Sequence, residues 1–93
     1  MFYFIYVLQS LKDGNLYTGL TKDLRARVAQ HNFGQNKSTK NRRPLKLIYF
    51  EGYLSEADAV GREKFLKSGS GKKFINKQLV NYLNANIKKK TKQ

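Results

Sequence analysis

Two tyrosines and an arginine in the first third of the chain are the residues best suited to chemistry. Tyr6 and Tyr17 fall on two segments, 2–9 and 15–19, whose pattern predicts a hairpin that brings the two phenols together. Arg27 follows at the edge of a buried helical stripe, so its side chain faces inward or sideways. A phenol carries a titratable proton and a guanidinium binds anions. Taken singly, each tyrosine is also explained as a core residue with a polar tip.

The acidic residues are few enough to be considered one at a time. Glu63 interrupts the apolar stripe of Ala59 and Leu66 in the middle of a predicted helix. It either pairs with Lys67 one turn later on the helix surface or holds one divalent ion together with phosphate and water. A two-metal site is disfavoured because it needs several converging carboxylates. The other five lie at turns, strand ends or helix starts: Asp13, Asp23, Glu51, Glu56 and Asp58.

The composition indicates a polyanionic partner. There are 19 Lys and Arg against 6 Asp and Glu, and the resulting net charge of +13 exceeds what solubility requires. The absence of cysteine excludes disulfides and thiolate chemistry and fits a cytoplasmic protein. The apolar run at 2–8 is too short to cross a bilayer and lacks the features of a secretory signal. The basic stretches lack an amphipathic apolar face, so nucleic acid is preferred to a membrane surface.

The elements that position these residues form one small α/β domain over 1–84, followed by a basic tail at 85–93. Strands are predicted at 2–9, 15–19 and 45–53. The first strand is apolar on both faces and is therefore expected at the centre of the sheet. Asp13-Gly14 is a strong signal for the turn of an antiparallel hairpin.

About three helices are expected around this sheet. Thr21 or Asp23 caps the first, which ends near Asn32. Ser55 starts the second, which continues to about Lys67. The run at 68–71 is expected to end the second helix, and a third helix is expected to start at residue 72. Apolar stripes are predicted on the first and third helices: Leu24, Val28 and His31, then Ile75, Leu79, Tyr82, Leu83 and Ile87.

Together these motifs resemble the GIY-YIG nuclease superfamily, and most closely its small stand-alone bacterial members. The resemblance covers roughly 2–80. It rests on Phe4-Ile5-Tyr6, Tyr17-Thr18-Gly19, Lys22-Asp23-Leu24, Arg27, His31-Asn32, Asn41 to Pro44 and Arg62-Glu63-Lys64. Phe4 and Thr18 replace a glycine and an isoleucine of the two name-giving motifs. Leu20 stands where the DNA-repair branch of the superfamily has a lysine.

The resemblance implies a three-stranded antiparallel sheet flanked by helices, and metal-dependent cleavage of a DNA phosphodiester. Tyr6 and Tyr17 match the tyrosines of the two motifs, Arg27 the helix arginine and Glu63 the metal-binding glutamate. His31 matches a histidine of some branches, and either Asn76 or Asn81 the late asparagine. The implied cofactor is one Mg²⁺ or Mn²⁺ ion, and the implied role is repair or nucleic-acid processing.

The catalytic hypothesis is in-line attack of an activated water on phosphorus. Tyr17 or Tyr6 acts as general base, Glu63 holds the metal and Arg27 neutralises the phosphoryl oxygens. A phenol with a pKa near 10 needs a shift of about three units, or roughly 4 kcal/mol, to act at neutral pH. His31 either orients Tyr6 or a phosphate, or is a satisfied half-buried residue.

The backbone of the substrate is expected to bind a loop and the start of the third helix. The expected contacts are Lys37, Lys40, Arg42, Arg43, Lys72, Lys73 and Asn76. Two other classes of function stay open: a nucleic-acid-binding module without catalysis, and a basic protein of the ribosome or nucleoid. DNA is favoured over RNA as the partner. A protein partner for targeting and the oligomeric state are left open by the sequence.

Overall fold

The computed structural model describes the backbone of residues 1–91 and the side chains of residues 1–85. The chain divides into two compact units, 1–63 and the part from residue 64 onward. In the described part, no helix is both long and apolar enough to span a membrane. The elements are β1 (Tyr3–Ser10), β2 (Leu16–Thr21), α1 (Leu24–Asn32), a 3-10 turn (Lys40–Arg42), β3 (Leu45–Tyr53), α2 (Glu56–Lys67), α3 (Gly69–Gln78) and α4 (Val80–Thr91).

The sheet has the strand order β2-β1-β3, and both pairs are antiparallel. The central place of β1 and the three-stranded sheet predicted from the sequence are confirmed. Tyr6 on β1 lies between Gly19 of β2 and Phe50 of β3. The tight turn after β1 uses Gly14 at a φ of 79°, which a residue with a side chain rarely adopts.

Both faces of β1 are buried. On one face Tyr6, Leu8 and Leu45 form a core against which Leu24 and Val28 of α1 pack. On the other face Ile5 and Val7 are buried, as the apolar alternation of the strand predicted. The central strand is therefore held from both sides, which fixes the position of every side chain that it carries.

Two side chains set the position of α1. Asp23, one of the two predicted caps, accepts a hydrogen bond from the Ala26 amide at 3.1 Å and so starts the helix. At the other end, Asn32 binds the backbone of Leu45 twice: its Oδ1 accepts from the amide at 2.8 Å and its Nδ2 donates to the carbonyl at 2.9 Å. The end of α1 is thereby fixed to the start of β3.

The last helical stretch differs from its prediction. The second helix ends at Lys67 as predicted, but α3 starts at Gly69 instead of residue 72, because Ser68 caps the helix by accepting from the Gly71 amide at 3.2 Å. The predicted single helix divides at Leu79 into α3 and α4. The predicted apolar residue Ile87 lies outside the residues whose side chains are described, as does the tail at 85–93 apart from Ala85. The division into a domain at 1–84 and a tail stays a prediction.

Candidate active site

The rings of Tyr6, Tyr17 and His31 form one cluster between the sheet and α1. Ring centroids are 5.8 Å apart for Tyr6 and His31, 5.0 Å for Tyr17 and His31, and 6.3 Å for the two tyrosines. Tyr6 and His31 are fully buried, whereas Tyr17 is half-buried. Of the two phenols brought together by the hairpin, that of Tyr17 is therefore the one in the more open position.

His31 is bonded at both ring nitrogens. Its Nε2 lies 2.9 Å from the Tyr6 hydroxyl and its Nδ1 lies 2.7 Å from the hydroxyl of Thr39, which is also fully buried. Burial lowers the pKa of His31, and the positive charge of Arg27 lowers it further. His31 is therefore a neutral imidazole with one donor and one acceptor nitrogen. Its complete burial agrees with its place in the predicted buried stripe of α1 and exceeds the half-buried position that was one alternative.

Gly19 gives the Tyr6 ring its space. The residue lies opposite Tyr6 on β2, and a Cβ there would overlap the Tyr6 hydroxyl and ring carbons. The glycine of the second motif therefore allows the phenol to lie flat across the neighbouring strand.

The charges of Arg27 and Glu63 both act on the Tyr6 phenol. Burial raises the pKa of Tyr6 well above its usual value near 10. The proximity of Tyr17 and of Glu63 raises it further, while Arg27 lowers it. A residue of α1 and a residue of α2, far apart in the sequence, thus lie near enough to one phenol for their charges to affect its proton. Arg27 and Glu63 are each half-buried.

Arg27 also lies beside an open pocket at the protein surface. With the backbone and side chains around Thr21 to Asp23, Ala26 and Gln30, it lines an open pocket of about 290 Å³. Lys22 lines the same pocket and places its ammonium group 5.3 Å from the centre of the Tyr3 ring. An anion in this pocket would meet two cations at the start of α1.

A second polar cluster, missed from the sequence, surrounds Glu51 on β3. Its carboxylate accepts hydrogen bonds from Tyr53 at 2.7 Å, from Tyr49, and from Arg62 of α2 at two points, both 2.9 Å. Glu51 had been assigned to the end of the third strand without a role, but it lies within β3 and on the same face as Ile5. The alternation of Tyr49, Glu51 and Tyr53 on one strand face was the available signal. Because Arg62 precedes Glu63, this cluster fixes the part of α2 that carries the candidate metal ligand.

The predicted nucleic-acid contacts differ in how accessible they are. Lys37 and Lys40 are exposed, and so are Lys72, Lys73 and Asn76 of the second unit. Arg42 is half-buried and forms an ion pair with Asp13 at 3.5 Å. Arg43 is exposed, and its Nε donates to the Lys40 carbonyl at 2.8 Å.

An open cleft of about 600 Å³ lies beside this loop. Three basic side chains line it, together with Asn32, Asn41 and Pro44: Lys12, Lys40 and Arg43. Lys12 was not predicted, although its place in the turn after β1 beside Asp13-Gly14 made it exposed and basic. The cleft therefore extends the predicted cationic loop by one residue from the hairpin.

The donor set fits one hard cation and not a dedicated metal cage. Among the residues that the structure describes, no group of three or more His, Asp and Glu could hold a metal ion. Glu63 offers one carboxylate near the phenol cluster. Magnesium accepts this arrangement because it keeps several waters and binds through one or two carboxylates together with substrate phosphates.

A hairpin that pairs two tyrosines, a helix arginine beside them and a glutamate on a later helix define a GIY-YIG domain, the domain of a nuclease superfamily. The family model described as the GIY-YIG catalytic domain matches residues 2–78. The chain belongs to this family. The resemblance inferred from the motifs is confirmed, as is the α+β fold that it implied.

Individual proteins are similar to the chain over most of its length. It is 45% identical over 67 residues to a UPF0213 protein of Staphylococcus epidermidis, covering 71% of this chain and 80% of the relative. It is 46% identical, with the same coverage, to a UPF0213 protein of Staphylococcus aureus. The solution NMR structure of a UPF0213 protein from Bacillus halodurans matches with a TM-score of 0.51 and 34% identity, covering 88% of this chain and 85% of that one. The chain is thus similar to small proteins in which the domain fills most of the length.

Proposed function

We propose that this protein is a metal-dependent endonuclease that hydrolyses phosphodiesters of nucleic acid, with DNA preferred to RNA. The observation that carries the proposal is the Tyr6 phenol, packed against Tyr17 and His31 and subject to the charges of both Arg27 and Glu63. These residues combine a proton acceptor, an anion-binding cation and a metal ligand, which phosphodiester hydrolysis requires. The proposed setting is the cytoplasm, in repair or processing of nucleic acid at the nucleoid.

The environment of the two phenols supports different roles for them in the proposed reaction. The raised pKa of Tyr6 and the lowered pKa of His31 both oppose transfer of the phenol proton to the imidazole. Tyr6 therefore stays protonated at neutral pH and, because it is fully buried and bonded to His31, acts as a positioning residue for the cluster. Tyr17 is more open and, in its phenolate form, is the general base that takes a proton from the attacking water and becomes the neutral phenol.

In the proposed reaction, Arg27 and a metal ion held by Glu63 stabilise the negative charge of the phosphate. The guanidinium of Arg27, at the open pocket of α1, binds the phosphoryl oxygens as negative charge develops on them. Glu63 holds one Mg²⁺ or Mn²⁺ ion, which when bound polarises a phosphoryl oxygen and stabilises the leaving oxygen. His31 is a positioning residue, since it contacts Tyr6 and Thr39 and is closed to solvent.

The cationic surface binds the part of the nucleic-acid strand that lies outside the active site. The exposed side chains of Lys37, Lys40 and Arg43, with Lys12 in the adjoining cleft, suit phosphate contacts that do not read sequence. Weak sequence selectivity follows from such contacts. Binding should weaken linearly with the logarithm of salt concentration, by about 0.9 for each phosphate neutralised on a duplex. A flat salt response would remove this footprint.

Cleavage of nicked, branched and single-stranded DNA, with Mg²⁺ or with chelator, tests the proposal. We expect Tyr17→Phe and Arg27→Ala each to lower the rate by about 10²- to 10³-fold, and Glu63→Ala to abolish the response to metal. Arg25→Ala and Glu56→Ala are matched controls, because both side chains are exposed on the same two helices. Cleavage that persists with chelator and in all three site variants would refute the site. Binding without any cleavage would instead support the non-catalytic module.

A further inference from the structure

Three phenylalanines, two of them exposed, lie together near Tyr6. Phe2 is 48% exposed, Phe50 is 53% exposed and Phe4 lies half-buried between them. The ring centroids of Phe2 and Phe4 are 6.1 Å apart, and so are those of Phe4 and Phe50. These three residues form a continuous aromatic surface, here called the phenylalanine patch.

The patch and the candidate active site share one face of the sheet. Phe50 pairs directly with Tyr6 across β1 and β3, and Phe4 precedes Tyr6 by two residues on β1. Paired residues, and residues two apart on a strand, point to the same face. Neighbouring positions of this kind are about 5 to 7 Å apart. The Tyr6 ring of the candidate active site therefore lies within one or two side chains of the patch.

Gly52 gives the patch its shape. It pairs with Phe4, and a Cβ at this position would lie 3.2 Å from the Phe2 ring and 3.5 Å from the Phe4 ring. The backbone is therefore bare where the Phe2 and Phe4 rings approach β3. α1 packs against the other end of the same face, at Leu8 and Leu45.

We propose that the phenylalanine patch stacks unpaired bases of the substrate next to the bond that is cut. This inference rests on the proposed function. It names the substrate class as nucleic acid with single-stranded nucleotides, at a branch, a flap or an end. The bases inside a duplex are already stacked on each other, whereas an unpaired base offers its π-face to an aromatic side chain.

Charge favours this occupant over a second copy of the chain. A net charge of +13 attracts a polyanion and repels another molecule of the same protein. A phosphate at Arg27 supplies the negative charge, and the base attached to an adjacent nucleotide supplies the apolar surface. A patch of aromatic rings beside a phosphate site thus matches both parts of a nucleotide.

Binding of oligonucleotides about 12 nucleotides long tests the inference. Single strands of DNA and of RNA and a DNA duplex of the same length are titrated in chelator, with fluorescence anisotropy as the readout. Removing a stacking ring weakens single-strand binding by roughly 5- to 150-fold, so we expect about a tenfold loss for Phe50→Ala and for Phe2→Ala. Duplex binding should change less than about twofold in both. The DNA and RNA arms show which nucleic acid the patch prefers.

Matched variants separate stacking from general loss of apolar surface. Phe50→Tyr keeps a ring and should bind like the wild type, whereas Phe50→Leu should bind like Phe50→Ala. Phe33→Ala removes an equally apolar ring that is 76% exposed at the end of α1, and should leave binding unchanged. The fluorescence of 2-aminopurine in the single strand should be quenched by the wild type and not by Phe50→Ala, since the quenching reports stacking.

Two results would overturn the inference. One is single-strand binding by Phe50→Ala and Phe2→Ala equal to that of the wild type. The other is a wild-type dimer that Phe50→Ala converts to a monomer with unchanged single-strand affinity, which would assign the patch to self-association. Because binding is measured in chelator, without turnover, a failure of cleavage leaves these outcomes intact, and a failure of stacking leaves the cleavage assay intact.

Discussion

Replacing Glu51 with glutamine removes one charge from a site where four donors converge. The Glu51 carboxylate accepts from the phenols of Tyr49 and Tyr53 and from two N–H groups of Arg62. A glutamine has one acceptor oxygen, and its NH₂ group would face groups that are themselves donors. The substitution therefore keeps the volume of the side chain and removes the charge partner that ties α2 to β3.

The pKa of Glu51 gives the magnitude. Burial alone would raise this pKa, but the hydrogen bonds from Arg62, Tyr49 and Tyr53 outweigh burial and lower it from 4.5 to about 2. The side chain is 15% exposed, so solvent screens the interaction little. A fall of this size corresponds to about 3 kcal/mol of stability at neutral pH. Because the folded pKa lies below the unfolded one, this stability is complete above about pH 5 and falls to roughly half or less at pH 3.

Urea unfolding followed by circular dichroism, at pH 7 and at steps down to pH 3, measures the difference. We expect Glu51→Gln to be less stable than the wild type by about 3 kcal/mol at pH 7, and the two proteins to converge as the pH falls. Glu56→Gln, an exposed carboxylate in the first turn of α2, is the matched control and should change stability by less than about 1 kcal/mol. Equal stabilities at pH 7, or a gap that stays constant down to pH 3, would refute the reasoning.

Three further substitutions test positions where space or a hydrogen bond is critical. Gly19→Ala puts a Cβ into the Tyr6 phenol and should cost about 1–3 kcal/mol of stability and at least tenfold in cleavage rate, and an unchanged rate would contradict the geometry. Thr39→Val leaves a buried imidazole nitrogen without its partner and should cost about 1–3 kcal/mol in urea unfolding, whereas Thr39→Ser should cost less. Gly71→Ala places a Cβ against a backbone carbonyl and should lower the melting temperature, while Gly69→Ala, which has open space, should raise it through helix propensity.

Much of the sheet was predictable because its signals are local. Asp13-Gly14 indicated the hairpin, and the hairpin in turn placed Tyr6 beside Tyr17. Asp23 was one of two possible caps, and both would start α1 at nearly the same residue. These elements follow from residues within a few positions of one another, so the sequence alone specifies them.

The hydrogen-bond partners inside the fold were not predictable in this way. Thr39 binds His31 from a loop whose polar composition indicated only exposure, and Arg62 reaches Glu51 from the following helix. Each pair depends on tertiary placement, for which a single sequence carries no periodic signal. Gly71 was misjudged for a related reason. It serves close packing against residue 65 and not flexibility, so the helix starts before it instead of after it.

The strand order also sets the sequence of events in folding. β1 meets β2 across the short segment 11–15, but it meets β3 only after the segment 11–44 has closed. A hairpin forms in about 1–10 μs, and closing a longer loop costs more entropy, so the β1–β2 pair assembles first. The two tyrosines are therefore expected to come together before Glu63 reaches its position near them. We expect a partly folded chain to bring the two phenols together without the Glu63 carboxylate, so that the proposed metal ligand joins them only when the first unit is complete.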